Sequence, residues 1–222
     1  MRPILAFVAF MLLGLATGWC GDAKLSPADK IVQEISKMSV VEQLDIIEKA
    51  KRQLVNQLTT VPSDIEEQYA DFAAGDRCGL AQLANRGLMD DGCYYSFTAR
   101  NHDYNDEPQL EFCCGNGQAY FSTAFVVGTY GCVVKSKDND IERLTLDGAP
   151  SFCKGDEVLQ INSRATGWES LGSVADSVYF VRSGYPGEFD TLAAFKVLRV
   201  DSYSITIAWK ILQDYPIPPR QR

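Results

Sequence analysis

The residues best able to do chemistry in this 222-residue chain are its one histidine and its cysteines. His102 is followed by Asp103 in the stretch NHDYNDE, with DDGC upstream, the pieces from which a His-Asp hydrolase would be assembled. Pro108 and the surrounding Asn and Asp residues read as loop, so His102 is expected at the surface without a catalytic role. A secreted hydrolase using His102 stands as the second alternative. Neither NHDYNDE nor SKDNDIERLTLDG has the central Gly and terminal Glu of a calcium loop. No G-x-S-x-G occurs, and no acidic pair can be singled out for glycoside hydrolysis. The expectation is therefore no metal, no cofactor and no catalysis.

Six cysteines, Cys78, Cys93, Cys113, Cys114, Cys132 and Cys153, cluster in the middle of the chain, and a seventh, Cys20, lies near its start. The chain opens MRPILAFVAFMLLGLATGWCGDAK, where one Arg precedes an apolar run from Ile4 to Leu15 and small residues follow. That run is shorter than the roughly 20 apolar residues a spanning helix needs and reads as a cleaved secretory signal, residues 1–20. Secretion into an oxidising compartment makes three disulfides the expectation for the six, with connectivity open. Adjacent Cys113 and Cys114 would strain the peptide between them if paired together, so each is expected to reach a different element. The formal net charge of −8 argues against nucleic acid or an anionic membrane as partner.

Two kinds of element must hold these residues. Residues 21–61 form a helical arm: Ser26 is the N-cap, Pro27 the first helical position, and Ile31, Ile35 and Met38 recur at helical spacing. Ser39-Val-Val-Glu42 is a capping box that restarts the helix, and Leu44, Ile47, Leu54 and Leu58 follow on one side. Such an arm either packs on the main domain or serves oligomerisation or as a propeptide.

Residues 62–114 are a mixed, cysteine-containing segment with a short helix around Ile65 to Phe72. From Gly92 onward the pattern turns to period two, with candidate strands CYYSFTA, LEFCC, AYFSTAFVV, GCVVKS, RLTL, EVLQIN, LAAFKVLRV and YSITIAWKIL. In the last, Ile205, Ile207, Trp209 and Ile211 share a face, and Asp201-Ser202 is the turn before it. Residues 213–222 read as a flexible, proline-rich tail.

The stretch FCKGDEVLQIN sets Gly155-Asp156 before a run that is apolar on both faces, a structural turn into a covered strand. Phe152, Gly155-Asp156, Val158-Leu159, Ile161 and Asn162 follow the pattern of a PDZ domain, and residues 115–212 resemble a divergent member of that family. GCVVKSK is similar to its preceding strand, SLGSVADSVYFVRSG to its groove helix, and YSITIAW to its closing strand. The chain lacks the family's Gly-Leu-Gly-Phe run and carries an insert, GYPGEFDTLAAFKVLRV, before the last strand.

The resemblance implies that Gly115, Asn116, Gly117 and Gln118 offer backbone N–H groups to a peptide carboxylate, and that the peptide joins the strand holding Ala119 and Phe121. Leu171, Val174 and Val178 would line the groove from its helix.

The expected protein is α+β, an N-terminal helical arm followed by a disulfide-stapled small β-barrel or sandwich resembling a PDZ fold. Its expected role is secreted, non-catalytic binding of an extracellular peptide or protein, without nucleic acid or membrane insertion, and with a possible homo-oligomer through the N-terminal helices. A carrier of a small apolar ligand, enclosed by aromatic-rich strands such as CYYSF and AYFSTAF, is the first alternative.

Overall fold

A computed structural model describes residues 27–87, 92–106, 108–123, 129–155 and 169–219. The proposed signal, Cys20, Ser26, Asp156 and the EVLQIN strand lie outside these residues. The chain divides into two compact units, Met1–Leu54 and Val55–Arg222.

In the first unit the helical pattern resolves into two helices. Helix α1 (Pro27–Ser36) ends where Met38 N–H donates to the Ile35 carbonyl, and α2 (Val40–Thr59) starts directly after the capping box. Ser39 N–H donates to Glu42 Oε2 at 2.8 Å, and Glu42 N–H donates back to Ser39 Oγ at 3.3 Å. Two orphan amides are thereby satisfied between the two helices. Val32, Ile35, Ile46 and Ile47 are half-buried, and α2 has no buried residue.

The second unit begins with short helices α3 (Ser63–Gln68) and α4 (Ala70–Ala73), where a single helix is expected from sequence. Nine strands follow: β1 (Cys78–Ala84), β2 (Tyr94–Tyr95), β3 (Leu110–Gly115), β4 (Gln118–Ser122), β5 (Tyr130–Lys135), β6 (Glu169–Ser170), β7 (Val178–Tyr185), β8 (Phe189–Val200) and β9 (Ser204–Asp214). They form two antiparallel sheets, one ordered β1-β9-β8-β7-β5 and one ordered β2-β3-β4-β6, with no closed barrel. The β8–β9 hairpin turns at the expected Asp201-Ser202, where Asp201 N–H donates to the Ser204 carbonyl.

Alternation decides which residues meet. Ile205, Ile207 and Trp209 of β9, Phe195 of β8, Tyr179 of β7 and Phe112 and Phe121 of the small sheet belong to one buried cluster, and Ile211 packs against it. Its rings interlock, Phe121 to Phe195 at 4.9 Å and Phe97 to Trp209 at 5.4 Å. Tyr95, Phe97 and Phe121, which a carrier would use to line a cavity, are spent here on packing. Opposite-parity residues Val178, Phe180, Leu192, Ala194 and Ala208 turn to a second cluster with Ile141, Leu144 and Cys153, flanked by Tyr69 and Phe72 of the short helices.

Three sequence expectations change. SLGSVADSVYFVRSG is helical only at α6 (Leu171–Val174), after a 3₁₀ turn (Leu146–Gly148) and α5 (Ser151–Lys154) earlier in the chain. Asp176 at φ 58 ends it, and Val178-Tyr-Phe-Val is β7, because its β-branched and aromatic residues fit a sheet covered on both faces. The expected insert is the β7–β8 turn and β8, the central strand of the larger sheet. RLTL forms turn and 3₁₀ helix instead of a strand.

Candidate functional site

Most of the residues expected to form a peptide groove meet as a turn and as packed core, and Val178 lies apart from them. Asn116 at φ 52 and Gly117 at φ 74 are the centre of a two-residue hairpin turn joining β3 to β4, with Gly115 and Gln118 paired across it. Two successive positive φ values match the right-handed twist of the strands, and Asn-Gly is the pair that tolerates them most readily. All four residues are exposed, and the Gly117 carbonyl accepts from Leu171 N–H. Ala119 and Phe121 are buried in the inter-sheet core with Val174, against which Leu171 packs. Val178 belongs to the cluster on the other side of the larger sheet. Val178 leaves the expected groove helix because that helix ends at Val174, and Val178 opens β7 with its side chain in the other cluster.

Gly155 is also not left-handed. It is extended at φ −90 and ψ 173. Its carbonyl accepts from Arg182 Nη1 at 3.0 Å, and so does the Cys153 carbonyl at 2.8 Å. Arg182 is the centre of a buried polar node: Nε and Nη2 donate to the two Asp190 carboxylate oxygens at 2.8 and 2.7 Å, and both side chains are 2% exposed. The Tyr215 ring lies 3.7 Å from the guanidinium carbon.

Burial opposes the Arg182 charge, and the paired carboxylate outweighs that penalty and raises its pKa. Burial, and then Asp190, pushes the Tyr130 phenol up. The hydroxyls of Tyr215 and Thr123 are buried without a hydrogen-bond partner among the described residues. This node contains no activated nucleophile, and its donors are spent on backbone and on Asp190. It fastens the turn after α5 to β7.

A disulfide fastens the same turn. Cys132 lies opposite Arg182 in the β5–β7 ladder and bonds to Cys153. It is the one disulfide among the described residues, where three are expected. Cys78, Cys113 and Cys114 remain thiols. Consecutive Cys113 and Cys114 point to opposite faces of β3, Cys114 entering the inter-sheet core, and half-buried Cys78 pairs across β1–β9 with Lys210. Burial pushes both the Cys78 and the Cys114 thiols up, the latter to about 11, which leaves neither activated as a thiolate.

His102 is partly buried instead of lying at the surface. Nδ1 is 2.8 Å from the Tyr94 carbonyl, and the ring meets Tyr95 edge-on at 5.1 Å. Burial lowers its pKa from the ordinary 6.5, against hydrogen bonds to the carbonyls of Tyr94 and Gly92. The polar loop after it satisfies itself: Asp103 N–H donates to Asn101 Oδ1, and Asn105 N–H to Asp103 Oδ1. Among the described residues no group of three or more His, Cys, Asp or Glu side chains is placed to hold a metal ion.

What the second unit encloses, the first leaves uncovered. Ile31, Met38, Val40, Val41 and Leu44, in α1, α2 and the link between them, are 48, 38, 59, 75 and 56% exposed. Elsewhere the large apolar side chains above the same level of exposure are scattered, at Tyr104, Tyr203 and Ile217. Five large apolar side chains within fourteen residues are thus exposed to solvent. The nearby charges are engaged within their own helix, Lys37 with Glu34 at 2.9 Å and Lys49 with Asp45 at 2.8 Å.

No family model, curated protein or solved structure matches the chain. No helix among the described residues is long and apolar enough to cross a membrane.

Proposed function

We propose that this protein is a secreted, non-catalytic binding protein that engages a protein partner through its N-terminal helices. The observation that carries this reading is the concentration of exposed aliphatic side chains between Ile31 and Leu44. A fully buried aliphatic side chain contributes roughly 1.5–3 kcal/mol, so covering these side chains offers a strong drive to association. These helices carry no surplus of either charge: residues 27–59 hold five acidic and five basic side chains. Its partner is accordingly an electroneutral, amphipathic helical surface rather than an acidic or basic one.

A buried disulfide fits a protein matured in an oxidising compartment, which supports secretion. The interlocked aromatic core disfavours the carrier alternative, and the engagement of His102 by backbone carbonyls disfavours the hydrolase.

The test is a photo-crosslinking amino acid at Val41, with a second at Glu142 as control, in protein secreted from a eukaryotic host. Protein adducts are expected at position 41 and not at 142. Absence of any protein adduct at 41 would overturn the reading.

A further inference from the structure

Resting on the secretion argued above and going beyond the binding role, we propose that the chain is cut after Arg52 by an endoprotease of the secretory route that reads paired basic residues, which frees the helical arm from the β-rich unit. Lys51-Arg52 is the only pair of adjacent basic residues in the sequence, and Lys49 stands two positions before Lys51. The first, second and fourth residues before the cut are therefore all cations. Carboxylate-lined subsites at those three positions are the chemistry that recognises such a pattern. The reaction is hydrolysis: water adds across the Arg52–Gln53 peptide bond, leaving a carboxylate on Arg52 and an amine on Gln53, with no other reactant.

The local structure presents the pair to solvent. Glu48, Lys49, Ala50, Lys51, Arg52 and Gln53 are six consecutive exposed residues of α2, and half-buried residues resume at Leu54. A helix turns once in 3.6 residues, so more than a full turn has no covered side here. A protease binds its substrate extended, and this turn has to unwind first. Unwinding is opposed by helical hydrogen bonds and exposed charge pairs, without loss of apolar burial, which places the segment at the low end of local stability. The Lys49–Asp45 bridge joins side chains 70 and 58% exposed, and a bridge that open is weak.

The position of the cut also suits removal of the arm. It falls two residues before Leu54, the last residue of the first unit. Beyond it the final turn of α2 is tied into the second unit: the Gln57 carbonyl accepts from Gln82 Nε2 at 3.3 Å, and Val55 and Thr59 lie against Gly92. Both buried clusters draw all their members from Tyr69 onward, so removal of the residues before Gln53 takes none of them. Ile31, Met38, Val40, Val41 and Leu44 all leave with the arm. A pro-segment removed in this way converts one secreted form into another without refolding the remainder.

The experiment reads the intact masses of wild type, Arg52→Gln and Lys37→Gln secreted from eukaryotic cells that overproduce a paired-basic protease. Glutamine matches arginine and lysine in helix propensity, so each variant loses a cation and keeps its helix. Wild type and Lys37→Gln are expected as the chain from Gln53 to Arg222. Arg52→Gln is expected to keep the arm, with the cut form reduced about 30-fold or more, because a subsite carboxylate is left without its partner. The trimmed chain is expected to unfold in urea at the same midpoint as Arg52→Gln.

Secreted wild type that keeps residues before Gln53 overturns the cut, as does Arg52→Gln cut at the same bond. A trimmed chain that has lost cooperative unfolding overturns the arm as a removable segment. Retention of all three proteins inside the cells overturns the secretion on which the inference rests. Arg52→Gln keeps Val41, so crosslinking from position 41 in that variant tests the binding role of the arm separately from the cut.

Discussion

Arg182 and Asp190 illustrate how much one pair of side chains decides. Each is 2% exposed, and the guanidinium spends its donors on the carboxylate and on the Cys153 and Gly155 carbonyls. Removing one partner leaves the other as an uncompensated buried charge. Asp190→Asn is therefore expected to cost about 3–5 kcal/mol in urea unfolding, whereas Arg182→Met with Asp190→Leu together restores most of that loss. An Asp190→Asn variant within about 1 kcal/mol of wild type would remove the node from the account of stability. An Arg inside the apolar run VYFVRSGY already signals a buried charge in the sequence, but its carboxylate partner lies across a turn and is not marked by any spacing.

At the scale of elements, the short turn between β3 and β4 is a direct reading of local backbone preference. Gly117 is at φ 74 with open space around its α-carbon, so any cost of a side chain there is backbone strain alone. Gly117→Val is expected to destabilise by about 1–2 kcal/mol in thermal unfolding, and Gly115→Ala, one position before the turn, by less than half of that. Equal losses at the two glycines would contradict the turn. The capping box and the β8–β9 hairpin are equally legible, since each is written in residues within four positions of one another. By contrast β1, CGLAQLA, has no clear alternation in its sequence. It is a strand because its register with β9 sets Gly79 against Trp209, where an added β-carbon would come within 2.6 Å of the indole.

The whole molecule has a single histidine, which makes its acid response unusually simple to assign. Burial depresses the His102 pKa below the ordinary 6.5 in the folded chain, so the unfolded chain takes up the proton first as pH falls. The corresponding stability is present above pH 6.5 and is lost as pH falls through the depressed folded value. Between about pH 7.5 and 5.5, where carboxylates stay ionised, the urea midpoint of wild type is expected to fall. His102→Gln is expected to flatten that slope, and an unchanged slope would assign the response elsewhere. The Cys132–Cys153 bond acts at the same scale: it closes a loop across 21 positions, and such closure restrains the unfolded chain by about 3 kcal/mol.

The sequence by itself determined what short-range physics controls: the two helices of the arm and the capping box between them, the Asn-Gly turn, and the period-two strands with Ile205, Ile207 and Trp209 on one face. It also carried the α+β class and the presence of a disulfide. Tertiary structure alone decided which cysteines bond, because Cys132 and Cys153 meet only after β5 and α5 come together over one face of the larger sheet. It decided, too, that Val174 and Val178 part company. The physical reason is range. Capping and alternation are settled by neighbours along the chain, while pairing, burial and the exposure of the arm depend on which distant residues arrive to cover a surface.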